Sequence, residues 1–158
     1  HANHSNLGSS ALTGDNWDAV IQAMFKQTEI NSSKRLAVRP SYCLVPIEME
    51  KTALTIFTSE KEADGGDVYQ NVRRRNADAV ITVPEWTDAT DWAAAADPND
   101  LEGACIGYRF GRAPEIFVAD SDLTGSMFTN DEMRIKVRFV YAVGIGNYRA
   151  LYKNNVTD

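Results

Sequence analysis

The sequence predicts an α+β fold, with helices early in the chain and strands late. Two observations carry most of that expectation. Near the beginning, Trp17, Val20, Ile21, Met24 and Phe25 recur at i, i+3, i+4, i+7 and i+8, which is the stripe a helix turns toward a core. Near the end, Met133, Ile135, Val137, Phe139 and Tyr141 alternate with Arg134, Lys136 and Arg138, the period of two of a half-covered strand. From Phe139 the polar partner disappears as Val140 and Ala142 join the pattern. The same strand is therefore expected to run into a place covered on both faces, tying two layers together.

The 158 residues suffice for one ordinary domain, or one with a small appendage, and for a real core. Hydrophobic content of 44% beside 24% charged residues fits a soluble globular chain. A net charge of −6 argues against a protein whose affinity comes from neutralising phosphates. No apolar run approaches the roughly 18 residues of a membrane span, and no charged, apolar, then small-residue leader is seen. Cys43 and Cys105 each fall in an expected strand without a second cysteine or histidine at ligand spacing. Buried free thiols in a reducing compartment are expected, with a disulfide between them the less favoured alternative. His1 to Leu7 contains no initiator methionine and reads as the middle of something, so the chain is expected to be a fragment.

Taken in order, the first secure element is a helix over residues 14–28. Thr13 or Asp15 is available as its N-cap, Asp15 and Asp18 sit in its first turn and Lys26 near its end. A polar loop from Asn31 to Lys34 follows, and Arg39-Pro40 closes it. Residues 41–45 form a short apolar strand, and Pro46 suits the first position of a second helix running to about Phe57, with Glu48 and Glu50 at its positive end. Residues 58–76, with Gly65-Gly66, many charges and Arg73, Arg74 and Arg75, read as a long exposed loop. Ala77 to Val83 is a strand ended by Pro84. Asp91 to Ala96 reads as another, although its alanines also suit a helix. Gly103 to Phe110 and Pro114 to Ala119 are expected strands bent at Gly111-Arg112-Ala113; the long alternating strand and an alternating segment from Asn147 to Lys153 complete the chain.

Chemistry-bearing constellations are few. The only histidines, His1 and His4, stand at the extreme end, whereas triads and most zinc sites need a histidine held by packed neighbours. An apolar strand running into Asp120-Ser-Asp122-Leu-Thr124 has the Asp-x-Asp-x-Thr pattern of haloacid-dehalogenase-type phosphatases. There the first aspartate is a nucleophile, the second an acid/base, with magnesium between them and the phosphate. Such an enzyme also needs a following helix, a later lysine and a parallel sheet; the remaining residues read as strands, so an exposed acidic turn is preferred. Asp120, Asp122, Thr124, Gly125 and Asp131 half-match a calcium loop at positions 1, 3, 5, 6 and 12. Flanking helices and a terminal glutamate are missing from the pattern. Gly144-Ile-Gly146 lacks the third glycine of a dinucleotide fingerprint and suits a bulge. Gly103, Gly107 and Gly111 mimic membrane small-residue spacing, but Arg109 and Arg112 exclude a span. Arg134, Lys136 and Arg138 form a basic ridge, either solvated or meeting an acidic neighbour.

Several of these pieces occur together in one family. His1 to Leu7, the Ser/Ala-rich loop and the Trp17 to Phe25 helix, Arg39 to Pro46, Lys136 to Arg138 and Asn147 to Asn154 resemble, in order, the major capsid proteins of tailed bacteriophages. The Mu-like head-subunit branch, including capsid proteins fused to a prohead protease, is most similar. The resemblance implies a Hong Kong 97-type fold, shared by bacterial encapsulins. Residues 1–100 would be the axial domain, a sheet flanked by two helices with the 58–76 loop near the capsomer axis. Residues 101–143 would supply strands of the peripheral domain, and residues 144–158 would return to the axial sheet. The family's N-terminal arm, extended loop and spine helix do not precede His1, as expected of a C-terminal fragment. The implied protein is a structural subunit of an icosahedral phage or prophage head, assembled in the bacterial cytoplasm and found in the virion. It self-associates into pentameric and hexameric capsomers and meets packaged DNA only non-specifically. No catalytic, cofactor-binding or metal-binding residue, and no membrane partner, is implied. The competing expectations are a metal-dependent phosphatase-like hydrolase using Asp120 and Asp122, and a calcium-stabilised binding module.

Overall fold

A computed structural model of the chain describes residues 6–29, 31–64 and 67–157. His1 and His4 lie outside them. The elements are β1 (Leu7–Gly8), α1 (Gly14–Lys26), β2 (Pro40–Val45), a 3-10 turn (Ile47–Met49) leading into α2 (Glu50–Thr58), β3 (Lys61–Asp64), β4 (Asp67–Gln70) and a 3-10 turn (Ala77–Ala79) before β5 (Val80–Thr82). Then come β6 (Trp92–Ala96), β7 (Ala104–Arg109), β8 (Glu115–Ala119), α3 (Ser126–Asn130), β9 (Arg134–Arg138), β10 (Val140–Ile145), a 3-10 turn (Tyr148–Ala150) and β11 (Leu151–Asn154). They group into two compact units, one running to Ala104 and resuming at Ile145, the other spanning Cys105–Gly144.

The first unit is built on a five-stranded mixed sheet in the order β1-β11-β6-β2-β5. β6 runs antiparallel to both β11 and β2, while β1 and β5 pair in parallel at the edges. The helical stripe of α1 buries Trp17, Val20 and Met24, and the Thr13 hydroxyl caps the helix by accepting from the Asn16 N–H at 3.2 Å. It stops at Lys26 because Gln27 is already extended, and Thr28 then bridges to Arg35. Trp17 from α1, Phe57 from α2 and Trp92 from β6 meet in the core, with ring centroids 4.8 Å apart for Trp17 and Phe57 and 6.0 Å for Trp17 and Trp92. Trp92 satisfies its indole by donating to the Ser10 carbonyl at 2.8 Å. Truncating one such ring typically costs about 3–5 kcal/mol.

The alanine-rich segment is a strand. Trp92, Ala93, Ala94 and Ala96 are all buried, so a central place in the sheet outweighs alanine's helical preference. The second helix forms as expected after Pro46, beginning as a 3-10 turn. The expected Ala77–Val83 strand shortens to β5, its first residues being the 3-10 turn.

Residues 58–76 are a correction: they contain an antiparallel hairpin, β3 against β4, with Lys61 opposite Gln70 and Glu62 opposite Tyr69. The sequence signal was Gly65-Gly66, a favoured hairpin dipeptide, masked by the charges around it. Asn71 then anchors the chain, its buried amide donating to the Ile56 and Ser59 carbonyls at 2.7 and 3.0 Å and so closing the end of α2.

The Cys105–Gly144 unit consists of two ribbons, β8 with β9 and β7 with β10, plus the five-residue α3. The long strand expected over 133–143 is thus two strands divided at Phe139. Between β7 and β8, the partners of β10 and β9, the chain passes through Phe110 and Gly111, both at positive φ, so the two ladders are separate. The expected burial of its second half also fails: Tyr141 and Val143 are 60% and 66% exposed. Alternation records which way side chains point, and carries no information about what covers them. Asn147 to Lys153 is likewise only half strand; Asn147 accepts from the Arg149 N–H and forms a 3-10 turn before β11 begins.

Candidate functional site

Asp120 and Asp122 lie exposed in the turn after β8. β8 belongs to a two-stranded antiparallel ribbon, whereas the phosphatase chemistry needs its aspartates at the end of a central parallel strand. A helix does follow, contrary to expectation, but α3 is a single turn of five residues, none of them buried. Among the described residues no group of three or more His, Cys, Asp or Glu is placed to hold a metal ion.

The basic ridge is satisfied within its own ribbon. Arg138 Nε and Nη2 donate to Glu115 Oε2 at 2.8 and 2.6 Å, and its guanidinium stacks 3.9 Å from the Phe110 ring centroid. Lys136 lies 4.8 Å over Phe117, and Arg134 pairs with Glu132 at 3.3 Å. The other face follows from the register, which sets Ile116 opposite Val137 and Val118 opposite Ile135. These four residues are 67%, 62%, 50% and 61% exposed. A bare two-stranded ribbon with such a face is marginal in water. It is a surface in need of a partner, and the alternation of residues 133–137 had located it.

In the other unit, charges serve as fasteners. Arg73 donates to Asp18 Oδ2 and Asp15 Oδ1 at 3.0 Å and pairs with Glu62, joining the segment after the hairpin to the start of α1. The hydrogen bond to Asp18, ahead of the other carboxylate contributions, raises the guanidinium's pKa further. Asp91, buried, holds Lys153 Nζ at 2.6 Å and accepts from the Val156 N–H at 2.9 Å, which fixes β11. Arg75 donates to the Pro40 and Ser41 carbonyls at 2.9 and 3.2 Å beside the buried Cys43. Burial pushes the Cys43 thiol up to about 12, with Arg75 pulling the other way. Cys105 is exposed, against expectation, because β7 lies in the ribbon unit that covers little of itself. The sequence did not single out Asp91, Arg73 or Arg75 as fasteners; their partners are distant in the chain and no local pattern marks them.

One unit is a five-stranded sheet packed with two helices, and the other carries a ribbon whose apolar face is exposed. The architecture is the Hong Kong 97-type fold: an encapsulin, SrpI of Synechococcus elongatus, seen by cryo-electron microscopy in its holo complex, matches with a TM-score of 0.51. The match covers 97% of this chain and 53% of that one at 10% identity, so this chain spans about half that neighbour's length. A family model described as phage capsid protein matches residues 2–154, and the chain belongs to that family. No curated protein matches it.

Proposed function

We propose that the chain is a structural subunit of a tailed-phage or prophage head, self-associating through pentameric and hexameric capsomers into a closed shell around DNA, and that it performs no catalysis. The observation that carries this reading is the family match over residues 2–154. The exposed apolar ribbon face supports it, since repeated burial of such a face is what drives symmetric assembly. On this reading the unit to Ala104 and from Ile145 is the axial domain, and Cys105–Gly144 is the strand part of the peripheral domain. The protein is assembled in the bacterial cytoplasm, ends in the virion, belongs to the Mu-like branch and meets packaged DNA without base preference. The net charge of −6 suits a lining that must not hold DNA tightly. Expression of the complete natural reading frame, followed by sedimentation and electron microscopy, tests the proposal. Closed particles are expected; only monomers under all assembly conditions would overturn it. No observation favours the hydrolase, and phosphate release that needs magnesium and disappears in Asp120→Asn would be required to revive it.

A further inference from the structure

We infer that Arg39 and Arg75 together form a receptor for a carboxylate of a second copy of this chain, an inference that rests on the shell-subunit reading. Arg75 is fixed at the entry to β2 by its bonds to the Pro40 and Ser41 carbonyls, with its guanidinium 5.7 Å from the Trp17 ring centroid. Arg39 immediately precedes Pro40, is exposed, and stands 5.3 Å over Phe25. Arg75 thus bonds the carbonyl of the residue that follows Arg39, and each guanidinium is backed by an aromatic ring of α1. Among the described residues neither has a carboxylate within 4.0 Å, although Arg73, two positions from Arg75, engages Asp15, Asp18 and Glu62. Like charges held side by side repel. Arg75 feels this: burial first and the positive charge of Arg39 second pull its pKa below the ordinary arginine value.

The fold thus supports two cations with backbone carbonyls and aromatic faces but, among the described residues, with no carboxylate. A carboxylate matches the fork of a guanidinium geometrically and would relieve the repulsion. The chain itself is a source of such groups. Cys105–Gly144 holds five basic and five acidic residues, so the whole net charge of −6 falls on the unit that carries Arg39 and Arg75. Two copies of that unit repel each other generally, and the arginine pair marks a place where an acidic surface is welcome, which sets orientation as well as attraction. Head-to-tail contacts of this kind, with different surfaces meeting, are those that close rings. DNA is the weaker candidate, because phosphate affinity grows with the number of charges neutralised and only two are offered on an acidic unit.

The test uses the complete reading frame with Arg39→Glu and Arg39→Lys, reading particle yield, Tm of the unassembled chain and retained DNA. Arg39→Glu places an opposite charge beside Arg75, so its Tm is expected to hold or rise while particle yield falls at least about tenfold. Arg39→Lys is expected to keep most of the yield with greater sensitivity to salt. Wild-type yield in Arg39→Glu overturns the inference, as does a fall in its Tm alongside the loss of particles, which would make Arg39 structural. Normal yield with less retained DNA would assign the pair to phosphate instead. A wild-type chain that forms no particles removes the shell reading and the inference with it; wild-type and variant chains that assemble equally remove the inference alone.

Discussion

Trp17 and Ile135 are both apolar residues on regularly patterned elements, yet Trp17 is wholly buried and Ile135 is 61% exposed. The unit around the five-stranded sheet hides its large rings and spends charges joining distant segments. The Cys105–Gly144 unit pairs its charges within one ribbon and shows its apolar side outward. The contrast teaches that one kind of pattern serves two ends: in the sheet unit it makes the monomer stable, and in the ribbon unit it prepares a surface.

The largest test of that contrast is Trp17→Ala, which removes the ring shared by α1, α2 and β6. We expect a loss of about 3–5 kcal/mol in urea unfolding; a loss below about 1 kcal/mol would mean the core tolerates its own removal. Asp91→Ala strands the Val156 N–H and frees Lys153, and is expected to cost about 2 kcal/mol, since Lys153 is half exposed and regains water. Hydrogen exchange at β11 should rise with it.

Cys43 gives a smaller effect with a definite sign. Its folded pKa, raised from 9.0 to about 12, means the folded state holds the proton longer than the unfolded one. The stabilisation is therefore complete below about pH 9 and is lost as pH rises toward 12, at a slope of about 1.4 kcal/mol per pH unit at most. Cys43→Ala should flatten the difference in Tm between pH 8.5 and 10.5. In the native chain Cys105 should react with maleimide at once and Cys43 only after denaturation. The smallest effect is expected from Ile135→Ser with Val137→Ser, within about 0.5 kcal/mol in the monomer. A larger loss would show that the face is already covered inside one chain.

Legibility in the sequence followed locality. The α1 stripe and the Pro46 helix start are written in neighbouring residues and formed close to their expected bounds, and alternation set the two faces of β9 although not its length. Residues 58–76 failed because a charged hairpin resembles a loop when charge outweighs the Gly65-Gly66 signal. The break at Phe139 failed because it depends on a bend some thirty residues away at Phe110 and Gly111. Asp120-Ser-Asp122 shows the opposite error that a motif invites: the residues are present, but they follow a strand of an antiparallel two-stranded ribbon and not one of a central parallel sheet. The arginine pair was invisible in advance, since Arg39 and Arg75 come together only when β2 receives the chain from the hairpin.

The position of β11 between β1 and β6 has a consequence in time. During synthesis the alanine-rich edge of β6 leaves the ribosome well before Leu151 does, and at cellular rates the interval is on the order of seconds. For that period the sheet stands open along an unpolarised, unguarded strand, a template for any other nascent chain nearby. Pairing of Leu151–Asn154 with Trp92–Ala96 is what removes that template.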